Sequence, residues 1–245
     1  MHAGFIGQNG GCLADIMQEA GVDISALLTL DAPNGHTVIE VNAAGQNRII
    51  VYGGTNQMLT EDYLDTVLSK AEPGDLALLQ NETNLIASIL QKSHEKGMKI
   101  VFNPSPMPKD LASLPLHLVD YFMINELEAA QLADLPADTP YESILDCLAK
   151  KYPHAAIVMT LGHNGVLFSQ EDTRLSHPIF PVEAVDTTAA GDTFCGYFLA
   201  AICRNAPIET ALKEASAASA IAVSRPNAAP SIPLYEEVET FLRSF

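Results

Sequence analysis

Basic residues are scarce in this sequence of 245 residues. Lysine and arginine number 13 against 30 aspartates and glutamates, which gives a formal net charge of −17. Such a charge repels the phosphate backbone of nucleic acids and anionic membrane surfaces, so we expect neither as a partner. A phosphorylated ligand stays compatible with the composition, because a local anion site can override the field of the whole molecule.

Long apolar runs and metal-like cysteine patterns are also absent. The sequence has no apolar run of about 18 residues and no basic-then-apolar opening, so we expect neither a membrane span nor a signal segment. The four cysteines lack the spacing of metal ligands, and Cys195 and Cys203 are interpreted as small core residues of one apolar helix. We therefore expect reduced thiols in a cytoplasmic protein.

Short β-rich runs alternate with helical patterns along the chain. Strands are predicted at 3–6, 76–79, 99–102, 121–124, 156–159 and 166–169, and helices at 12–19, 59–71, 85–96 and 144–151. This alternation is typical of an α/β protein whose mainly parallel sheet carries helices on both faces. The length and the hydrophobic content of 48% predict a single large domain over residues 1–245.

One segment interrupts this alternation. Residues 36–53 contain two β-rich runs on either side of a glycine-containing turn, which is a hairpin signal. We expect this hairpin to be a small β element inserted in the α/β domain.

Polar residues follow several of the predicted strands at the point where each strand ends. They are Glu82, Asn103, Asn125 with Glu128, and Thr160 with Gly162. Ligands bind at the carboxyl ends of the strands in parallel sheets, so we expect a ligand site there. Glu128 has two interpretations: it stabilises the first turn of a helix, or it orients a hydrated Mg²⁺ together with Asn125.

The stretch V-D-T-T-A-A-G-D-T-F at 185–194 changes from small polar residues to an apolar helical run. Ala189, Ala190 and Gly191 carry almost no side chain, so a ligand can approach their backbone closely. If they open a helix, their N–H groups form an anion site at the positive end of the helix dipole.

Asp192 directly follows this predicted anion site. A carboxylate beside a phosphate is repulsive, but it is useful as a base that takes the proton of a hydroxyl attacking phosphorus. The alternative interpretation is that Asp192 or Thr193 caps a buried helix.

The segment D-T-T-A-A-G-D at 186–192 resembles the signature of the ribokinase-like carbohydrate kinases. Matching segments follow the family order at 81–82 (N-E), 103–106 (N-P-S-P), 125–128 (N-x-x-E), 160–165 (T-L-G-x-x-G) and 220–231 (A-I-A-V-S-R-P-N-A-A-P-S). The resemblance covers essentially the whole chain and is closest to the ribokinase branch. It implies ATP-dependent phosphorylation of a sugar hydroxyl, most simply of a pentose such as ribose or deoxyribose.

The resemblance also implies a role for each matching position. Asp192 would be the base, Ala189, Ala190 and Gly191 the anion hole, Asn125 and Glu128 the residues serving the phosphates and Mg²⁺, Thr160, Leu161, Gly162 and Gly165 the lining of the nucleotide pocket, and Glu82 a sugar ligand. A monovalent cation, usually K⁺, would be bound beside the anion hole. Its matching positions are Asp186, Thr188, Ala222, Arg225, Asn227 and Ser231, with asparagine at 227 where the family usually has glycine.

Two further implications concern the first part of the fold. The hairpin at 36–53 would belong to a small lid that covers the sugar and can pair two subunits as a homodimer. Family members begin with a strand, an Asn/Asp pair and a G-G-K-G-x-N segment that holds the sugar, and this chain matches the family only after that segment. The alternative hypothesis is therefore an inactive or weakly active nucleotide-binding remnant of a sugar kinase.

Overall fold

The computed structural model describes residues 1–41, 47–108 and 110–245. The chain divides into two compact units, Met1–Val119 and Asp120–Phe245. The turn of the predicted hairpin, residues 42–46, lies outside the described residues.

The described part of the first unit contains paired strands and three α-helices. Its strands are β1 (Ala3–Gly7), β2 (Ala26–Leu30), β3 (His36–Val41), β4 (Asn47–Tyr52), β5 (Leu76–Gln80) and β6 (Lys99–Asn103). Its helices are α1 (Gly11–Glu19), α2 (Glu61–Leu68) and α3 (Ile86–Glu95). The pairs β1–β2 and β5–β6 are parallel, as expected for strands joined through a helix, whereas β3 and β4 form the predicted antiparallel hairpin.

The core of the first unit forms where α2 and α3 cover the strands. Phe5 of β1 packs against Tyr63 and Leu64 of α2 and Ile89 of α3, and Leu79 of β5 lies against the same cluster. The Tyr63 hydroxyl donates a 2.5 Å hydrogen bond to the Ala26 carbonyl and so ties α2 to β2.

The second unit contains four strands and five helices among its elements. The strands are β7 (Tyr121–Asn125), β8 (Ala156–Thr160), β9 (Val166–Gln170) and β10 (Thr173–His177). The helices are α4 (Glu126–Ala133), α5 (Tyr141–Lys151), α6 (Ala190–Cys203), α7 (Ile208–Val223) and α8 (Tyr235–Leu242). β7 and β8 pair in parallel, and β9 and β10 extend them with antiparallel pairs.

Helix α7 is rich in alanine, which favours the helix and keeps its buried face small. Ala211, Ala215 and Ala218 are fully buried, and α6 packs closely along α7. This packing places the start of α6 beside the second half of α7.

The structure adds elements that the sequence did not predict and shifts others. β2 and β10 were not predicted; β10 has one half-buried leucine among polar residues, so its apolar signal is weak. α2 is shorter than the predicted 59–71. The interpretation of Cys203 as a core residue is wrong, because this cysteine is exposed at the end of α6 while Cys195 is buried.

Candidate active site

The carboxyl ends of β7 and β8 bring two of the predicted segments together. Asn125 and Thr160 are direct partners in the parallel register, and the Thr160 hydroxyl donates to the Ile124 carbonyl at 3.4 Å. Each strand then passes at once into a polar turn. The turn after β7 opens α4, and the turn after β8 is the predicted nucleotide turn.

Asn125 and Glu128 cap helix α4 reciprocally. Asn125 Oδ1 accepts from the backbone N–H of Leu127 at 3.0 Å and of Glu128 at 2.8 Å, while Glu128 Oε2 accepts from the Asn125 N–H at 3.0 Å. This capping box satisfies backbone donors that the first turn of a helix leaves unpaired. Glu128 therefore stabilises the first turn of α4, as the first interpretation predicted. The second interpretation, that Glu128 orients a hydrated Mg²⁺, stays a proposal.

The turn from Thr160 to Gly165 is folded back on itself. Leu161 is buried and its N–H donates to the Gly165 carbonyl at 2.8 Å, while Gly162 is exposed with φ of 52°. Gly165 has φ of 90°, and a Cβ there would lie 2.2 Å from the His177 carbonyl oxygen. Only glycine fits this position, so the close approach of β10 fixes the shape of the turn.

The start of α6 differs from a capped helix start. Ala189 precedes the helix in the left-handed conformation, with φ of 60° and ψ of 11°, and makes no side-chain cap. Thr193 donates the first helical backbone bond, to the Ala189 carbonyl at 2.9 Å, and Ala190 N–H donates to the Thr187 carbonyl at 3.3 Å. Gly191 is exposed and its N–H lies ahead of that first helical bond, at the positive end of α6.

Asp192 is exposed in the first turn of α6. The N-cap position belongs to Ala189, so the interpretation that Asp192 or Thr193 is the capping residue is wrong. Behind it, burial raises the pKa of the Cys195 thiol to about 12, and the charge of Asp192 adds to that rise. Asp192 is thus accessible to solvent, whereas the three residues that directly follow it in α6 are buried.

Asp186 ties the segment before α6 to the loop after α7. Its Oδ1 accepts from the Thr188 N–H at 2.9 Å and its Oδ2 from the Asn227 N–H at 3.1 Å. Bonds from the Thr188 hydroxyl and backbone, and then from Asn227, hold the pKa of this carboxyl below its usual range. Asp186 is therefore held ionised between two segments that lie 41 residues apart.

The remaining predicted cation positions are Ala222, buried at the end of α7, and three residues of the loop from 225 to 231. Asn227 has φ of 72°, which explains both the usual glycine and why asparagine is tolerated there. Arg225 donates its N–H to the Ala222 carbonyl at 3.0 Å and directs its guanidinium to Glu237, at 2.5 Å. The fully buried Ser231 donates to the Ala228 carbonyl at 2.7 Å. Carboxylate, hydroxyl and carbonyl oxygens are the ligands that hard cations accept, and a K⁺ ion at these positions stays a proposal.

Two contacts that hold the start of α6 were not found from the sequence. The Ser219 hydroxyl of α7 donates to the Ala190 carbonyl at 3.1 Å, and Val185 and Asp186 both donate their N–H to the Val223 carbonyl. The available signal was weak, because Ser219 is one of two serines in the alanine-rich run of α7.

Glu82 lies in the first unit, in the turn after β5. It is exposed, and its backbone carbonyl accepts a hydrogen bond from the Gln57 side chain at 2.9 Å. Asn103, at the end of β6, also lies in the first unit. The remaining predicted site residues lie in the second unit, in two groups: the ends of β7 and β8, and the start of α6 with the end of α7 and the loop after it.

Two features of the described residues bear on metals and membranes. Among those residues no group of three or more histidine, cysteine, aspartate or glutamate side chains is placed to hold a metal ion. A Mg²⁺ ion that is held by one carboxylate and by substrate phosphates does not require such a group. No described helix is long and apolar enough to cross a membrane.

An α/β fold with polar strand ends and an exposed aspartate at an open helix start is compatible with a kinase acting on a small-molecule hydroxyl. The sequence profile described as pfkB family carbohydrate kinase matches residues 3–234. This chain belongs to that family, and the predicted class of ATP-dependent carbohydrate kinase is confirmed.

Individual relatives agree with the family. Ribokinase from Staphylococcus aureus strain COL is 34% identical over 246 residues, which cover 95% of this chain and 79% of the relative. Deoxyribokinase from Salmonella typhi is 29% identical, over 85% of this chain and 69% of the relative.

A solved structure confirms the fold class, a mainly parallel α/β sheet with helices and a small hairpin. The structure of Arabidopsis thaliana ribokinase complexed with ribose and ATP superposes with a TM-score of 0.83 at 26% identity. The match covers 98% of this chain and 81% of that structure.

Proposed function

We propose that this chain transfers the terminal phosphoryl group of ATP to a hydroxyl of a pentose such as ribose or deoxyribose. The observation that carries the proposal is the start of α6, where the exposed Asp192 follows the open N-terminus at Gly191. The similarity to a ribokinase and to a deoxyribokinase supports a pentose as the substrate.

In the proposed reaction Asp192 accepts the proton of the attacking sugar hydroxyl. The hydroxyl oxygen forms a bond to the terminal phosphorus of ATP while the bond from that phosphorus to the bridging oxygen breaks, and ADP leaves with the electron pair. The N–H groups at the start of α6, around Ala189, Ala190 and Gly191, would stabilise the charge on the transferred group.

The remaining residues position the reactants. The turn 160–165 would line the nucleotide pocket, Glu82 would bind the sugar, and Asn125 with Glu128 would serve the phosphates. A Mg²⁺ ion supplies charge neutralisation on the phosphates when it is bound, and Glu128 is the carboxylate that would face its hydration shell. A K⁺ ion in the loop oxygens beside Asp186 would fix the shape of the anion hole.

The proposed function is tested by a coupled assay of ADP release with a panel of pentoses, nucleosides and sugar phosphates. We expect ADP release that requires a pentose and is lost in Asp192→Asn. Release that is independent of every sugar on the panel would contradict the proposal.

The alternative of a weakly active nucleotide-binding remnant is favoured by one observation in the first unit. Leu78, in the middle of β5, is 51% exposed, and helix α1 buries none of its residues, so part of this unit is incompletely covered. Calorimetry separates the two hypotheses. A remnant binds ATP or ADP but shows no sugar-dependent release of ADP.

A further inference from the structure

The turn that carries Glu82 is anchored at both ends. On one side Asn81 donates its backbone N–H to the Ser105 carbonyl at 3.0 Å and its side chain to the Pro106 carbonyl at 2.6 Å. On the other side Asn84 bonds both backbone groups of Leu59: its Oδ1 accepts from the Leu59 N–H at 3.0 Å, and its Nδ2 donates to the Leu59 carbonyl at 2.8 Å.

Two more hydrogen bonds join the same two segments. Thr83 Oγ1 donates to the Asn56 carbonyl at 2.6 Å, and Gln57 Nε2 donates to the Glu82 carbonyl at 2.9 Å. We call these two bonds and the Asn84–Leu59 pair the clasp, formed by residues 56–59 and 82–84. The clasp links the segment that leaves the hairpin strand β4 to the turn that carries Glu82.

The Asn84–Leu59 pair is the part of the clasp that is least exposed to solvent. Its bonds are half-buried, whereas the Thr83 and Gln57 bonds are exposed. Water competes less for a half-buried hydrogen bond. Removal of the Asn84 side chain would therefore leave the N–H and the carbonyl of Leu59 without a hydrogen-bond partner. Asn84 is thus the residue on which the clasp depends most.

Backbone strain lies directly beside Asn84. Leu85 is left-handed, with φ of 60° and ψ of 22°, an uncommon conformation for a bulky residue. Such a residue persists only where its surroundings hold it. Here the surroundings are the core cluster of α2 and α3, against which the Leu85 side chain packs, and the Asn84–Leu59 pair one residue earlier.

We propose that Asn84 is a positioning residue that couples the exit of the β3–β4 hairpin to Glu82 and thereby sets the affinity for the sugar. This rests on the proposed role of Glu82 as a sugar ligand. Because the hairpin exit and the turn share the clasp, a sugar that orders Glu82 also orders the segment following β4. Loss of the Asn84 side chain makes the turn less ordered. Part of the binding free energy of the sugar is then spent on ordering the turn, and the affinity for the sugar falls.

The test compares Asn84→Ala with the matched control Ser88→Ala. Ser88 makes a comparable link outside the clasp: its hydroxyl donates a 2.8 Å bond to Glu61 and so joins the first turns of α3 and α2. For Asn84→Ala we expect a pentose KM about tenfold higher, which corresponds to about 1.4 kcal/mol, with kcat and the KM for ATP close to those of the parent. Amide hydrogen exchange should accelerate together at 56–59 and 82–84, and Ser88→Ala should show neither change.

Three results would overturn the proposal. Faster exchange in only one of the two segments contradicts the coupling. An equal loss of ATP and pentose affinity shows that Asn84 only stabilises the fold. An unchanged pentose KM removes the positioning role.

The proposed function can fail separately from the clasp. If the parent chain has no pentose affinity by calorimetry, the assigned substrate and the affinity effect are both wrong. The hydrogen-exchange comparison still decides in that case whether the clasp couples the two segments.

Discussion

Asp192 and Asp186 are close in sequence, yet the structure gives them different environments. Asp192 is exposed at the start of α6, whereas Asp186 accepts hydrogen bonds from two chain segments. In the proposed reaction Asp192 would accept the proton of the sugar hydroxyl, whereas Asp186 holds the backbone of two segments together.

Asp192→Asn tests the proton transfer. Asparagine keeps the shape of the side chain but cannot accept the proton, so kcat should fall by about 10² to 10⁴. Nucleotide affinity should hold or rise slightly, because a negative charge near the phosphates is removed. Steady-state kinetics with calorimetry of ADP binding measures both, and a near-normal kcat would refute the base assignment.

Asp186→Asn tests the cation site. The amide can no longer accept both bonds from Thr188 and Asn227, so any stimulation by K⁺ over Na⁺ at equal ionic strength should be lost. Glu183→Gln, in the exposed segment just before, should keep it. Equal rates of the parent enzyme in both salts would remove the cation role.

The lowered pKa of Asp186 also predicts a pH range. The folded-state pKa is below the unfolded value of about 3.9, so the stabilisation is present above that pH and is lost as the pH falls through the folded pKa. Between pH 5 and 8 the thermal midpoints of parent and Asp186→Asn should therefore differ by a constant amount. A difference that varies with pH within this range would contradict the assignment.

At the scale of elements, the end of α6, the first half of α7 and the start of α8 meet around one buried carboxylate. Glu214 of α7 is only 9% exposed; it accepts from Arg204 at 2.5 Å and from the Tyr235 hydroxyl at 3.3 Å. Arg204 also lies over the Tyr235 ring, at 4.9 Å from its centroid. These contacts close the far end of the helix pair whose near end carries the site.

Glu214→Gln keeps the size of this side chain and removes its charge. We expect a loss of about 1 kcal/mol in unfolding free energy, because a charge-assisted bond becomes neutral and Arg204 is partly solvated. Glu239→Gln is the control, since its 3.7 Å pair with Arg243 is exposed on both sides and should matter little. Urea unfolding measures both, and equal losses would contradict the special role of Glu214.

At the scale of the whole molecule, the first unit has strand edges that the described residues leave without a partner strand. β1 pairs only with β2, and β5 pairs with β6 on one edge only within the residues described. Leu78 in β5 and Leu13 and Ile16 in α1 are exposed. Open strand edges next to apolar side chains are templates for association between chains.

We expect this polypeptide to self-associate as its concentration rises, and Leu78→Lys to weaken that association. Ile179→Lys, which changes an equally apolar residue in the loop after β10, should leave it unchanged. Analytical ultracentrifugation over a range of concentrations measures both variants. A parent chain that stays monomeric throughout would contradict the expectation.

Much of the α/β pattern could be read from the sequence because its signals are local. The apolar runs of β5 to β9 and the segment 186–192 each lie within about a dozen residues, and each formed where it was predicted. β2 and β10 were missed because their stability comes from pairing with β1 and β9, which no local window contains.

The sequence by itself determined the family, the polar strand ends and the small residues that open α6. The tertiary structure decided that Ala189 is left-handed, that Asp186 bonds Asn227 and that Asn84 bonds Leu59. These contacts join residues 25 to 41 positions apart. Local periodicity cannot specify such bonds, because they form only once the packing of helices and strands has brought distant segments within hydrogen-bonding distance.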